Sequence, residues 1–547
     1  MCGFLFYFSK AKKYNKQKFL LSSKLIEHRG PDDYSDYYDN EVAVSFYRLS
    51  IRDLSSNGRQ PMYSKSKKYL MVFNGEIYNS AELKKNFNLK NIIGTSDTEI
   101  LLEFIEKYGV DKIKYVKGMY SAIIYDLKNK KILAFRDRFG IKPLYYYESD
   151  DYVIFSSEIK PILKYSNFCK IDDNSMLSFF LKGEIENNSK TFFKDIKSLE
   201  AANFLKLKKI KLTVSCYWKL EHKINKYNLK FAKKELLSKL KESVKSHSIS
   251  DKKLGMFLSG GTDSSILANI LRKNENNFAT FTYDFSKNNS FSELEKAKEI
   301  SKKLKLKNFH CSINPNFIIK NFENIVKVIE SPITSIRLFG VMELYSLAKK
   351  NGYEVILEGH GGDEMLGGYN YNYLFNIFSK NSKKKINKMM SDFFDYCNYD
   401  PQKILNSLVT ITNQAGSTTD GTPFVYIDLF DKDFVNENIN TMFGTDKKLF
   451  KIKNFLLRSQ YNDIKNLKIP RVLKYTDRLS MYNSVEARVP FLDHELFQFC
   501  YSLSNDLKFK KDASRWIFKE STKNLNLNLN FTKKKKHIVD PQTEWLK

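Results

Sequence analysis

Short apolar runs separated by turns dominate the first part of the chain. "VAVSFY" (42–47), "YLMVFN" (69–74), "YSAIIYD" (120–126), "KILAFRD" (131–137) and "YVIFSS" (152–157) have the length and the β-branched or aromatic content of strands. Helical spacing interrupts them near 16–27 and 97–108. The mixture predicts a layered α+β domain over residues 1–165. Residues 166–230 are polar, lysine-rich and weakly patterned, and read as a connecting segment with minor strands. From 231 the rhythm changes. Strand "KLGMFL" (253–258) leads to a helix near Ser264, strand "FATFTYDF" (278–285) leads to the helical "SELEKAKEISKKL" (292–304), and strand "YEVILEG" (353–359) ends in glycines. Alternation of strand and helix predicts a parallel sheet in an α/β domain spanning 231–547, with ligands at the carboxyl ends of its strands. Residues 370–547 read mostly helical.

Composition narrows the class. The chain has 547 residues, 42% of them hydrophobic and 14% aromatic, as in a folded protein of two or three domains. No apolar run reaches the roughly 18 residues that cross a bilayer, and "MCGFLFYFSK" lacks the charged flank of a secretory signal. A cytoplasmic location is expected. Six cysteines with no CxxC spacing read as reduced thiols. The net charge of +29 is spread through the chain with no aromatic RNA-binding signature beside it, so neither a nucleic-acid nor a membrane partner is expected. The dense run Lys533–Lys536 reads as solvated.

The stretch "MFLSGGTDSS" carries the first chemistry. A strand ends at Leu258, Ser259, Gly260 and Gly261 follow, and a hydroxyl-rich helix start bears Ser264 and Ser265. Backbone amides at a glycine turn, together with a helix N-terminus, cradle phosphate. No GK[ST] follows, which excludes a Walker loop. Asp263 would repel polyphosphate unless a divalent cation lay between them, so it reads as a Mg²⁺ ligand beside pyrophosphate. A second loop, "EGHGGDEMLGGY" (358–369), also follows a strand and brings Glu358, Gly359, His360, Asp363 and Glu364. Two acid-bearing glycine loops at two strand ends can converge on one Mg–nucleotide. SGGxDSS resembles the motif of the N-type ATP pyrophosphatases.

Cys2 stands at a special position. Removal of Met1 would leave its thiol beside a free α-amine that can act as its base, as in N-terminal nucleophile hydrolases. With "HRGPDD" (28–33), "YRLSIRD" (47–53), "NGEIYN" (74–79) and "GTSDTE" (94–99), the first hundred residues resemble the glutaminase domain of class II glutamine amidotransferases. Both loops of the second half match the synthetase domain of the asparagine synthetase family, and "RDRFGIKPLYY" (136–146), "LKYTDRLSMYNSVEARVPFLDHEL" (473–496) and "KHIVDPQTEWLK" (536–547) extend the resemblance over nearly the whole chain.

The resemblance implies an N-terminal-nucleophile αββα sandwich followed by a Rossmann-like nucleotide-binding domain with a helical C-terminal part. In the glutaminase half, Cys2 would attack glutamine, Arg48 would clamp its carboxylate, Asp97 and Glu76 would hold its ammonium, and Asn74 with the Gly75 N–H would form the oxyanion hole. In the synthetase half, ATP would be held by Leu258, Ser259, Gly260, Gly261, Asp263, Ser264, Ser265, Glu358, Gly359 and Arg515, with Mg²⁺ on Asp263 and Asp363. Asp363, Glu364, Glu486 and Arg488 would serve the acceptor, and Asp477 and Arg478 add charges that suit an anionic one. The implied reaction makes asparagine from aspartate, glutamine and MgATP. Three departures stand out: His360 replaces the family's glutamate, Arg515 replaces a common lysine, and the sequence ends straight after "EWLK". A neutral imidazole at 360 could do acid/base work. The alternatives are the same chemistry on another carboxylate, such as a sugar acid of a surface glycan, and a non-catalytic binding paralogue. A homodimer is left open.

Overall fold

The computed structural model describes residues 1–547 except 91, 187, 209–210, 276, 286–291, 380–450, 511–512, 526–540 and 546–547. Cys397, the lysine run, the helical reading of 380–450 and most of the 536–547 match lie outside the described residues.

Alternation along β1 (Gly3–Ser9) sends Phe4, Phe6 and Phe8 into one core and Leu5 and Tyr7 into another. The first core lies between two sheets: those phenylalanines meet Val42, Val44 and Phe46 of β3 (Val42–Arg48) and, from the opposite sheet, Val72, Ile123 and Leu205. The second core lies under the helices Lys16–Ser23 and Ile159–Ser166, which supply Phe19, Ile159 and Ile162. On the far side, Leu101, Phe104 and Ile105 of the helix Asp97–Tyr108 pack on Met71 and Phe73. These are the expected layers of helix, sheet, sheet and helix. Both faces of β1 are buried and "GFLFYFS" shows no polar alternation; no strand is predicted there, although the equally buried β3 is.

The first sheet runs β10 (Lys197–Ser198), β8 (Tyr145–Glu148), β9 (Tyr152–Ser156), β1, β3, β2 (Asp33–Tyr38). The second runs β12 (Lys211–Cys216), β11 (Asn203–Lys208), β7 (Lys131–Arg136), β6 (Gly118–Asp126), β5 (Tyr69–Ile77), β4 (Met62–Tyr63). All the pairings are antiparallel. Residues 166–230 are therefore more than a connector. β11 pairs with β7 and buries Leu205 and Leu207 while Lys206 and Lys208 face solvent, so the lysines mask a half-buried strand.

After the helix Leu229–His247 comes a parallel sheet in the order β15 (Asn308–Ile313), β14 (Phe278–Phe285), β13 (Leu254–Phe257), β16 (Val355–Leu357), β17 (Glu486–Arg488). Helices cover both faces. Leu254, Met256 and Leu357 pack with Ile266, Leu267 and Ile270 of the helix Thr262–Asn274, while Phe281 and Ile356 pack with Phe339 and Tyr345 of the helix Arg337–Lys350 and Leu479 of the helix Lys468–Tyr482. β13 and β16 are neighbours, so the loops that follow them emerge side by side.

Two candidate active centres

Cys2 immediately precedes β1, and antiparallel pairing of Gly3 with Tyr47 brings Arg48 to the same end of the sandwich. Asn74 and Gly75 lie on β5 of the facing sheet. The Cys2 N–H donates to Asn74 Oδ1 at 3.0 Å, and its buried Sγ lies 4.0 Å from the Leu49 carbonyl oxygen. The other end of that amide, Asn74 Nδ2, is buried with no hydrogen-bond acceptor among the described residues. A donor left open beside the thiol fits an oxyanion. Gly75 is required by close approach, since a Cβ there would come within 2.1 Å of the Met119 carbonyl oxygen. Burial pushes the Cys2 thiol pKa up, and the Met1 ammonium, the Leu49 backbone contact and Arg48 pull it the other way.

Arg48 is buried, and its guanidinium donates only to carbonyl oxygens, those of Ser55 at 2.8 Å and Asp53. Asp97, also buried, accepts the Ile77 N–H at 2.6 Å. Burial raises its pKa, against the opposing pull of Arg52. Neither residue has an ion-pair partner within 4.0 Å among the described residues, so one cationic and one anionic group remain for a zwitterion. Glu76, the other residue expected at the ammonium, is paired inside the protein: Arg52 Nη1 lies 2.8 Å from Oε1 and Arg488 Nη2 3.5 Å from Oε2. Burial first, then Asp97, pushes its pKa up to about 8 despite the arginines.

At the second centre, Gly260 has φ +72°, a left-handed conformation that glycine adopts without strain. The turn is tied by hydroxyls: the Gly261 N–H donates to Ser259 Oγ at 3.2 Å, and Ser265 Oγ donates to the Gly261 carbonyl at 2.6 Å. Ser259 and Ser264 Oγ lie 3.2 Å apart. Leu258 is buried, and its carbonyl accepts Thr282 Oγ1 at 2.7 Å. The second loop abuts the first, because a Cβ on Gly359 would meet Ser264 N at 3.7 Å and one on Gly362 would meet Asp263 Cγ at 3.2 Å. Arg515 joins the loops. Its Nη1 lies 2.6 Å from both Asp263 carboxylate oxygens and 2.9 Å from Asp363 Oδ1. Two carboxylates converging on one cation are a donor set that hard Mg²⁺ uses when phosphate oxygens and water complete its shell.

Other expected residues lie elsewhere or have other partners. Glu358, expected at the nucleotide, is buried and faces His360, Tyr345 and Thr476. Glu364 accepts Tyr369 OH at 2.6 Å, and burial raises its pKa. Glu486 and Arg488, expected at the acceptor, are buried against the first domain. Glu486 Oε2 lies 2.9 Å from the Met1 ammonium, and Arg488 reaches Glu76. They alternate on β17 so that both side chains leave one face of the sheet. Asp477 and Arg478 are likewise drawn into the domain interface. Arg29 donates to Asp477 Oδ2 at 2.8 Å, to Glu158 Oε1 at 2.9 Å and, through Nε, to the Cys2 carbonyl at 3.2 Å, while Arg478 Nη2 pairs with Glu330 at 2.8 Å. Arg29 and Glu158 carried no signal beyond their places in the family-like stretches "HRGPDD" and "FSSEIK" (155–160), and Glu330 carried none. Among the described residues, no cluster of three or more His, Cys, Asp or Glu could hold a metal, and no helix is long and apolar enough to cross a membrane.

Comparison with known proteins assigns both halves. A family model described as glutamine amidotransferase domain matches residues 1–218, and one described as asparagine synthase matches 235–547, more than half of the chain. The chain is 28% identical to asparagine synthetase [glutamine-hydrolyzing] 1 of Bacillus subtilis over 100% of its own length and 88% of that protein's. It is 27% identical to asparagine synthetase [glutamine-hydrolyzing] 2 of the same organism, over 93% of this chain and 67% of the other. It is also 24% identical to the amidase chry2 of Gibberella zeae, over 96% and 85%. The chain belongs to the asparagine synthase family and is a glutamine amidotransferase of the asparagine-synthetase type, a carbon–nitrogen ligase with its amidotransferase domain ahead of its synthase domain.

Proposed function

We propose that the enzyme makes asparagine, with aspartate as the acid that ATP activates. Glutamine docks with its carboxylate on Arg48 and its ammonium on Asp97, the Cys2 thiolate attacks the side-chain amide, and Asn74 Nδ2 with the Gly75 N–H receives the oxyanion. Ammonia leaves for the second centre, and water clears the thioester. There the Ser259–Ser265 loop holds the phosphates, and the acceptor carboxylate displaces pyrophosphate from ATP. Asp263 and Asp363 would hold Mg²⁺, which supplies charge neutralisation for the departing pyrophosphate. On nucleotide binding, Arg515 exchanges its aspartates for phosphate oxygens. AMP and the amide are the final products.

The observation that carries this reading is the bridge between the centres. Arg29 binds both the Cys2 carbonyl and Asp477, and Asp477 follows Thr476, which donates to Glu358 beside His360. A glutaminase tied to an adenylating site in this way suits ammonia delivery.

ATP–pyrophosphate exchange across a panel of acids tests the acceptor. Aspartate is expected to support exchange, and exchange with a uronic acid but not with aspartate overturns the reading. The uronic-acid arm is included because His360 replaces the glutamate of the asparagine synthetases and an amidase is among the relatives.

A further inference from the structure

We propose that Glu358 is a positioning residue that fixes the His360 ring with Nε2 against its carboxylate, leaving Nδ1 as the atom that takes the proton from the attacking ammonia. The inference rests on reading the second centre as an amidation site.

Three contacts hold the carboxylate, and none leads to the phosphate loop. Glu358 follows β16, and its main-chain N–H donates to the Arg488 carbonyl at 2.8 Å, so the strand pairing sets its position. Tyr345 OH donates to Oε1, and Thr476 Oγ1 donates to Oε2 at 3.2 Å. His360 Nε2 lies 2.9 Å from Oε2. The side chain of Glu358 is 3% exposed and that of His360 is 40% exposed, so the acid is sealed in while the ring reaches the open side of the loop. No partner for Nδ1 exists among the described residues. An ionised carboxylate accepts only, so it selects the tautomer with the proton on Nε2 and leaves a lone pair on Nδ1.

The same loop places the ring beside the nucleotide centre, because Gly359 and Gly362 pack on Asp263. The groups facing the dyad come from four elements: Glu358 from the end of β16, Glu364 from the short helix Gly362–Leu366, Tyr345 from the helix Arg337–Lys350, and Thr476 with Asp477 from the helix Lys468–Tyr482. Burial works against the imidazolium, but Glu358, with Glu364 behind it, outweighs burial, and the His360 pKa is raised.

The step balances. Ammonia nitrogen forms a bond to the acyl carbon, the bond from that carbon to the phosphate oxygen breaks, AMP leaves with its electron pair, and the nitrogen's surplus proton passes to Nδ1. Glu358 touches none of the reacting atoms and acts through the ring alone.

Full-length protein labelled with ¹⁵N at its 7 histidines tests the dyad without any substrate, with His360→Asn identifying the signal. The neutral ring is expected to carry its proton on Nε2, and Glu358→Gln is expected to move the His360 titration to lower pH. A proton on Nδ1 in the unaltered protein overturns the proposal, even if Glu358→Gln fails to fold. So does a His360 titration that Glu358→Gln leaves in place.

With aspartate, ammonium and ATP, Glu358→Gln should lower amide formation about 10-fold or more beyond any effect on pyrophosphate exchange. The acid limb of its pH profile should also move to lower pH, since the weaker base sheds its proton sooner. Exchange falling as far as amide formation, with a raised KM for ATP, would make Glu358 a nucleotide residue instead. Absence of aspartate-dependent exchange in the unaltered enzyme would sink the proposed acceptor, and the histidine spectrum would still decide the dyad.

Discussion

Arg48 and Asp97 are buried groups of opposite charge type, and in the proposed reading a free α-amino acid would satisfy both at once. Replacing Arg48 by Lys keeps the charge but loses the planar fork. The KM for glutamine should then rise roughly 10- to 100-fold, the worth of one charge-assisted hydrogen bond, while amide formation from ammonium persists. Steady-state kinetics with each nitrogen donor reads this directly, and equal damage to both would contradict separate centres. Cys2→Ala carries the same logic further: glutamine-dependent synthesis should vanish and ammonium-dependent synthesis remain. Asp263→Asn should cut AMP release by about 100-fold or more, with basal glutamine hydrolysis intact, and normal AMP release would remove Asp263 from the proposed Mg²⁺ site. Residues of this kind were readable because their chemistry is local: a glycine turn with an acid inside it, or a cysteine at the second position, means something before any fold is known. Glu358 was not. Its sequence neighbours suggest a phosphate loop, and only the packing of Tyr345 and Thr476 on it gives it another role.

At the level of elements, short length and polar surroundings limited legibility. The helix Asp97–Tyr108 and strand β14 have the residue bounds that the sequence pattern predicts. β17 escaped because three residues are too short for any period, and β1 escaped although the equally buried β3 and β14 did not. β11 escaped because its outward positions are lysines in a lysine-rich stretch. On β5, Gly75 faces a carbonyl oxygen across the sheet, so Gly75→Ala must force β5 and β6 apart. It should destabilise the protein by about 1–3 kcal/mol or more, measured as a lower denaturation midpoint. An unshifted midpoint would mean that the strands yield without cost.

For the whole molecule, the least legible feature is the set of ion pairs between domains, because Arg29 and Asp477 are separated by 448 positions in sequence. Burial opposes ionisation of Asp477 and Glu158, but Arg29 holds the first, and His28, Lys160 and Arg478 hold the second, below the ordinary carboxylate range. Depressed folded values mean that their stabilisation is complete above the unfolded values, about 4, and is lost as pH falls through the folded ones. The thermal midpoint should therefore drop as pH falls below about 4. Arg29→Met, which takes from Asp477 its two-pronged partner and from Glu158 one of several cations, should cost about 3–5 kcal/mol at neutral pH and flatten that acid dependence. A variant as stable as the parent at pH 7 would show that the network contributes nothing.

Lys142 of the first domain is buried and reaches the carbonyl of Ala487, the middle residue of β17, at 3.5 Å. β17 is the last strand of its sheet, and an outermost strand offers unpaired main-chain groups to any chain that can add to it. The amidotransferase domain is therefore also a guard on a sticky margin. A polypeptide cut near residue 230 would release the synthase half with that margin bare, with Glu486 without the Met1 ammonium and Arg488 without Glu76. It should self-associate in light scattering where the intact chain does not, and adding back the first half should suppress the association.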